Sequence, residues 1–155
     1  MDLAQACGVS RVVLPLSPGA AGHAKEAASR GLAVSFYNVA MDAATVFDWL
    51  EAAKKTAPAI GLTFSAAGFA RTGECPFLTS YRAKLRRSIV GLDAEDCLYD
   101  GTPQPLGAGN AEIRELVSIL RCGNFAGDIV LGPGNRHVGN LPDATRRFME
   151  LLERM

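Results

Sequence analysis

Residues 60–74 read IGLTFSAAGFARTGE, residues 88–113 read SIVGLDAEDCLYDGTPQPLGAGNAEI, and residues 125–134 read FAGDIVLGPG. Each stretch holds one short apolar run, at 60–65, 88–93 and 128–132, bounded by Gly, Pro, Asp or Asn. The runs are almost continuously hydrophobic rather than alternating, which is the pattern of strands buried on both faces of a parallel sheet. Two runs of the same kind lie upstream, at 11–16 and 32–38.

Helical signals fill the gaps. The Ala-rich segment 20–29 stops at Gly31, the usual place for a helix-ending glycine. Asp42 can cap a helix over 43–56, whose Val46, Phe47, Leu50 and Ala53 fall on one face. Pro58 follows its end. Residues 77–87 are expected to form a third helix. Asn110 is expected to cap a fourth, with Ile113, Leu116, Val117 and Leu120 as its buried stripe, and Asp143 to open a last one through Phe148, Leu151 and Leu152. Strand followed by helix, five times over, predicts a parallel sheet with right-handed crossovers in one α/β domain spanning 1–155.

The 155 residues suffice for a real core, and 48% of them are apolar. Formal net charge is zero, which argues against a nucleic-acid binder. The only basic run, Arg82, Lys84, Arg86 and Arg87, alternates with apolar residues and reads as a solvated helix face. No stretch approaches eighteen apolar residues, so no membrane helix is expected. The N-terminal residues lack the pattern of an export signal, and a cytoplasmic location is expected. Cys7, Cys75, Cys97 and Cys122 form no CxxC pair and are expected to be reduced thiols.

The three quoted stretches resemble the last three strands of xylose isomerase-like TIM barrels, the group that includes sugar phosphate isomerases and epimerases. The most specific segment is the one in which an acidic residue ends a strand and PLGAGNAEI leads into a helix. The resemblance implies that the five strands are about β4 to β8 of a (β/α)8 barrel. A whole barrel needs eight units and typically about 250 residues, so the expected fold is a partial TIM barrel. A five-stranded open sheet leaves two edges unpaired and would expose the apolar inner face that a closed barrel hides. A homo-oligomer, or a fragment of a longer chain, is therefore expected.

The resemblance also implies a divalent metal (Mg, Mn or Zn) at the C-terminal mouth, held by a Glu, an Asp in Asp-x-x-His, a His in His-x-Lys-Asp, and a final Glu. Such a metal would polarise the carbonyl and hydroxyl oxygens of a sugar or sugar phosphate during aldose–ketose isomerisation or epimerisation. Here the first Glu falls at or next to Tyr37. Asp-x-x-His becomes Ser65-Ala66-Ala67-Gly68. The next His falls at Asp93 and the Lys at Glu95, with Asp96 retained, and the final Glu falls near Gly132. No complete metal shell can be written, and no metal ligand is assigned.

The expectation is thus an isomerase-like segment that has lost its metal-dependent chemistry but retains carbohydrate binding. An active isomerase or epimerase with an atypical carboxylate site, and a purely structural module, are the alternatives. Asp93, Glu95 and Asp96 are the candidate catalytic carboxylates, against a plainer role in turns. Tyr37, Asn38, Ser65 and Arg136 are the candidate substrate-binding residues. The PLGAGN turn and GPGN at 132–135 could offer backbone N–H groups to a phosphate, although neither is a P-loop. His23 and His137 read as surface histidines, and Cys97 and the small residues 65–68 as packing.

Overall fold

A computed structural model describes residues 4, 6–17, 19–82, 84–132 and 139–154. The chain runs β1 (Arg11–Pro15), α1 (Ala20–Ser29), β2 (Ala33–Tyr37), α2 (Ala43–Lys54), β3 (Gly61–Ser65), α3 (Ala66–Ala70), β4 (Ile89–Asp93), β5 (Asp96–Cys97), β6 (Pro103–Gln104), α4 (Ile113–Cys122), β7 (Asp128–Val130) and α5 (Leu141–Glu153). The main sheet has the order β1-β2-β3-β4-β7 with every pair parallel, and β5 and β6 form a separate antiparallel pair. This is a curled half-barrel with helices between its strands.

The five strands are those expected. Phe36, Leu62, Phe64 and Leu92 point to the helix side, where they pack with Val46, Leu50, Leu116 and Val117 into one core. Each such side chain is worth roughly 1.5–3 kcal/mol when withdrawn from water. Asp42 caps α2 as expected, accepting from Thr45 N at 2.7 Å.

Three helix expectations are corrected. Residues 77–87 do not form one α-helix. A π-helical turn (Pro76–Tyr81) is followed by a 3₁₀ turn (Leu85–Ser88), and the break sits at Lys84, whose φ is +65°. A lysine in that left-handed region costs roughly 1–3 kcal/mol, so the surrounding packing, with Leu85 fully buried, must hold it there. Asn110 does not cap α4, because its Oδ1 accepts from Tyr99 N instead. Glu112 occupies that cap position, and its carboxylate accepts from Phe77 N and Leu78 N, so it caps the π turn from across the fold. Asp143 lies inside the first turn of α5, and Asn140 is the N-cap that accepts from Asp143 N.

The inner face of the sheet is also unlike the expected apolar surface. Strand alternation turns Val13, Ser35, Tyr37, Thr63, Ser65, Asp93 and Val130 to the inside. Closed barrels fill this space with bulky branched side chains. Here Ser35 and Thr63 share a buried hydroxyl–hydroxyl hydrogen bond of 2.8 Å. Gly91 lies opposite Thr63, so that a Cβ would come 3.1 Å from Thr63 Oγ1. The inward residues Ser35, Tyr37, Thr63, Ser65 and Asp93 of the central strands are buried or half-buried, whereas Val13 and Pro15 on β1 and Asp128 and Val130 on β7, the outermost strands, stay exposed. Arg11 on β1 reaches Asp128 on β7 at 2.6 Å, joining the first and last strands of the sheet. Both side chains are solvent-accessible, so the pair contributes no more than about 1 kcal/mol and reports the curl rather than causing it.

Candidate functional site

A cavity of about 370 Å³ opens at the C-terminal ends of the strands, a size that suits a small ligand. Strand phase explains its lining. Val13, Tyr37, Thr63, Ser65, Asp93 and Val130 are inward positions on five neighbouring strands, and Asn38, Arg71, Glu95 and Gly132 come from the segments just beyond. Tyr37, Asn38, Ser65, Asp93 and Glu95, five of the residues singled out from the sequence, therefore meet in one place. Arg136 and His137 lie outside the described residues, as does GPGN beyond Gly132.

Ser65 and Asp93 are direct cross-strand partners. Ser65 Oγ donates to Asp93 Oδ2 at 3.0 Å and accepts from Gly68 N at 3.4 Å, so one hydroxyl caps α3 and orients the carboxyl. Asn38 is fully buried and its Oδ1 accepts from Ser65 N at 3.2 Å. Its Nδ2 has no hydrogen-bond partner among the described residues. Gly68 permits this arrangement, since a Cβ there would strike the Asn38 backbone oxygen and Nδ2.

Asp93 and Glu95 form the acidic wall. A Cβ on Gly132 would collide with Asp93 Oδ1 and with Glu95 Oε1, so both carboxyl groups occupy the space that a side chain from the last strand would fill. Burial pushes the Asp93 carboxyl up to about 6, and the charge of Glu95 adds to the rise; the Ser65 hydroxyl and Arg71 pull it down by a smaller amount. A carboxyl tuned to this range can take or give a proton near neutral pH.

Asp96 belongs elsewhere. It is buried beyond the cavity wall, where its carboxylate accepts from Gly107 N (2.8 Å), Gly109 N (3.0 Å) and Ala111 N (3.0 Å). The PLGAGN turn does cradle an anion, and that anion is the chain's own Asp96. Gly109 allows the close approach, since a Cβ there would strike Asp96 Oδ1. Desolvation raises the Asp96 carboxyl, and the three backbone donors oppose the rise.

Ala66, Ala67 and Gly68 pack as read, buried in α3, whereas Ser65 lines the cavity. Cys97 is buried too, with its thiol on Ala67 O at 3.5 Å, and His23 is exposed on α1. All four cysteines are free. Thr63 and Arg71 are the polar lining residues that the sequence reading passed over. Thr63 lies two residues before Ser65 and so shares its face, a signal that strand phase carries. Arg71 follows α3 in a turn, and nothing local marks it.

The donor set does not fit the four-ligand metal shell that the resemblance implies. At its positions stand a phenol, a hydroxyl, a carboxylate and a glycine. Among the described residues no group of three or more His, Cys, Asp or Glu side chains could hold a metal ion. Nor is any described helix long and apolar enough to cross a membrane.

No protein-family model and no curated protein matches the sequence. Among solved structures, a xylose isomerase domain protein from Planctomyces limnophilus shares the fold, with a TM-score of 0.77 at 18% identity. The match covers 99% of this chain and 62% of that one. The chain thus has the fold of a partial xylose isomerase-like (β/α)8 barrel, and it spans less than two thirds of the length of that protein.

Proposed function

We propose that the cavity at the strand ends binds a small polyhydroxylated carbohydrate without a metal ion. The observation that carries this reading is the convergence of Tyr37, Asn38, Thr63, Ser65, Arg71, Asp93 and Glu95 around one cavity in which, among the described residues, no metal-type ligand set is found. Sugar hydroxyls both donate and accept, and this lining supplies carboxylates to accept, a guanidinium to donate, and hydroxyl groups that do either. Arg71 would face the anionic group of a sugar phosphate. The protein that shares this fold is a xylose isomerase domain protein, which favours a sugar over other small polar ligands.

Isothermal titration with a panel of aldoses, ketoses and their phosphates, each with and without EDTA, tests the reading. Millimolar or tighter binding that is indifferent to EDTA and lost in Asp93→Ala supports it. Stoichiometric micromolar binding of Mg²⁺, Mn²⁺ or Zn²⁺ contradicts it.

A second reading, metal-free epimerisation, rests on one observation: the paired carboxyl groups of Asp93 and Glu95, one of them tuned to about 6. Ionised Asp93 would take the proton from the carbon next to a carbonyl and, protonated by that step, would return a solvent-exchanged proton to the enediol. In D₂O this chemistry replaces that C–H with C–D. A sugar that binds and keeps its C–H signal rules the second reading out and leaves the first intact.

A further inference from the structure

At the opposite end of β4 lies a cleft of about 880 Å³, larger than the strand-end cavity. Phe47, Glu51 and Lys54 of α2 form one wall, Phe77 and Tyr81 of the π turn another, and Ile119 of α4 the third. Arg82, Lys84, Arg86, Arg87 and Ser88 complete the lining, so the sequence's only basic run stands solvent-exposed on the wall of a concavity. The break at Lys84 produces this arrangement. A continuous helix would spread these side chains around its circumference, whereas the left-handed residue turns the chain so that all four line one cleft.

Five cationic side chains and a single carboxylate line the cleft of a chain whose net charge is zero. Glu51 is already paired with Lys54 at 3.5 Å, and Lys54 also donates to Ser88 Oγ at 2.6 Å. Lys84 sits 5.2 Å over the Phe47 ring. Arg82, Arg86 and Arg87 are exposed and have no ion-pair partner among the described residues. Three guanidinium groups, Arg82 before the break and Arg86 and Arg87 after it, line one cleft and suit the oxygens of a phosphate chain. Beside them Phe77, stacked on Tyr81 at 6.1 Å, and Ile119 are half-buried and offer apolar surface to a flat ring.

We infer that this cleft is a binding site for a nucleoside polyphosphate, with its phosphates on Arg82, Arg86 and Arg87 and its base against Phe77 and Ile119. Five of the chain's 16 lysines and arginines gather on this one concave site while the chain as a whole is neutral. That favours a single small ligand over a nucleic-acid strand, which is tracked by an extended basic stripe. The site is separate from the strand-end cavity and does not depend on the carbohydrate reading.

Isothermal titration of the whole chain in EDTA, using ATP, inorganic tripolyphosphate and adenosine at fixed ionic strength, tests the inference. ATP is expected to bind in the micromolar range, tripolyphosphate about tenfold more weakly or worse because it lacks the stacked base, and adenosine not measurably. Arg86→Ala and Arg87→Ala, exposed positions whose variants are checked for an unchanged melting curve, should each weaken ATP binding about tenfold. Equal affinity for ATP and tripolyphosphate would overturn the nucleoside assignment. ATP binding that survives both arginine variants, or single-stranded RNA binding more tightly than ATP, would overturn the site itself.

Discussion

Replacing Asp93 by Asn should stabilise the protein, and by an amount that depends on pH. The carboxyl of Asp93 titrates near 6 in the folded chain, against an ordinary value of 3.8. A raised carboxyl means that the folded state holds the proton more tightly than the unfolded state does. Below about pH 4 both states are protonated and Asp93 carries no penalty. Between about pH 4 and pH 6 the folded state loses stability as pH rises, and above that the penalty is complete. The two values are roughly two units apart, which corresponds to about 3 kcal/mol. Coupling to Glu95 and solvent at the cavity mouth make this an upper figure. Asn at this position still offers an oxygen to the Ser65 hydroxyl but cannot ionise. Urea unfolding of parent and variant, followed by circular dichroism from about pH 4 to pH 8, should show curves that coincide at the acid end. They should then separate by about 1–3 kcal/mol at the alkaline end. A gap that is constant across this range, or widest in acid, would refute the assignment of Asp93 as a desolvated, repelled carboxyl.

Asp96→Asn should do the reverse and destabilise the chain by about 1–3 kcal/mol near neutral pH, since one amide oxygen cannot replace two oxygens serving three backbone donors. Differential scanning calorimetry would read this as a loss of several degrees. Gly109→Ala should be similarly costly, because the new methyl group meets the backbone oxygen of Cys97 as well as Asp96. At Gly132→Ala the nearest contacts of the new methyl group are the ends of two side chains, so its melting point should move little while the proposed carbohydrate binding, read by calorimetric titration, should be lost as Asp93 and Glu95 are displaced. Arg11→Ala should cost less than about 1 kcal/mol in urea unfolding, as expected of an exposed pair.

The strands were legible in the sequence because each is a continuous apolar run closed by turn residues, and all five fall where periodicity puts them. The strand ends were legible for the same reason: Tyr37, Ser65 and Asp93 close their strands, so parallel pairing brings them to one end. Local pattern could not reveal choices made across the fold. Glu112 serves the N–H groups of Phe77 and Leu78, and Asp96 serves a turn eleven to fifteen residues away. Both acids look like ordinary turn or helix-start residues until their distant partners are seen. The basic run is solvent-exposed as read, but it is not one helix face, because the backbone turns at Lys84. The polar interior was foreshadowed by Ser35 and Tyr37 on β2 and by Thr63 and Ser65 on β3, whose spacing of two within each strand marks one face. It went unread because strands with so many apolar neighbours suggest an apolar interior.

We propose that the strand ends hold a metal-independent carbohydrate site. Its most direct test is a titration of isotope-labelled protein in EDTA with aldoses, ketoses and their phosphates, followed by amide chemical shifts. Saturable shifts at Tyr37, Asn38, Ser65, Asp93 and Glu95, with residues 82–88 unmoved, are the predicted result. Shifts that appear only when a divalent metal is added, or that fall away from these strand ends, would contradict it.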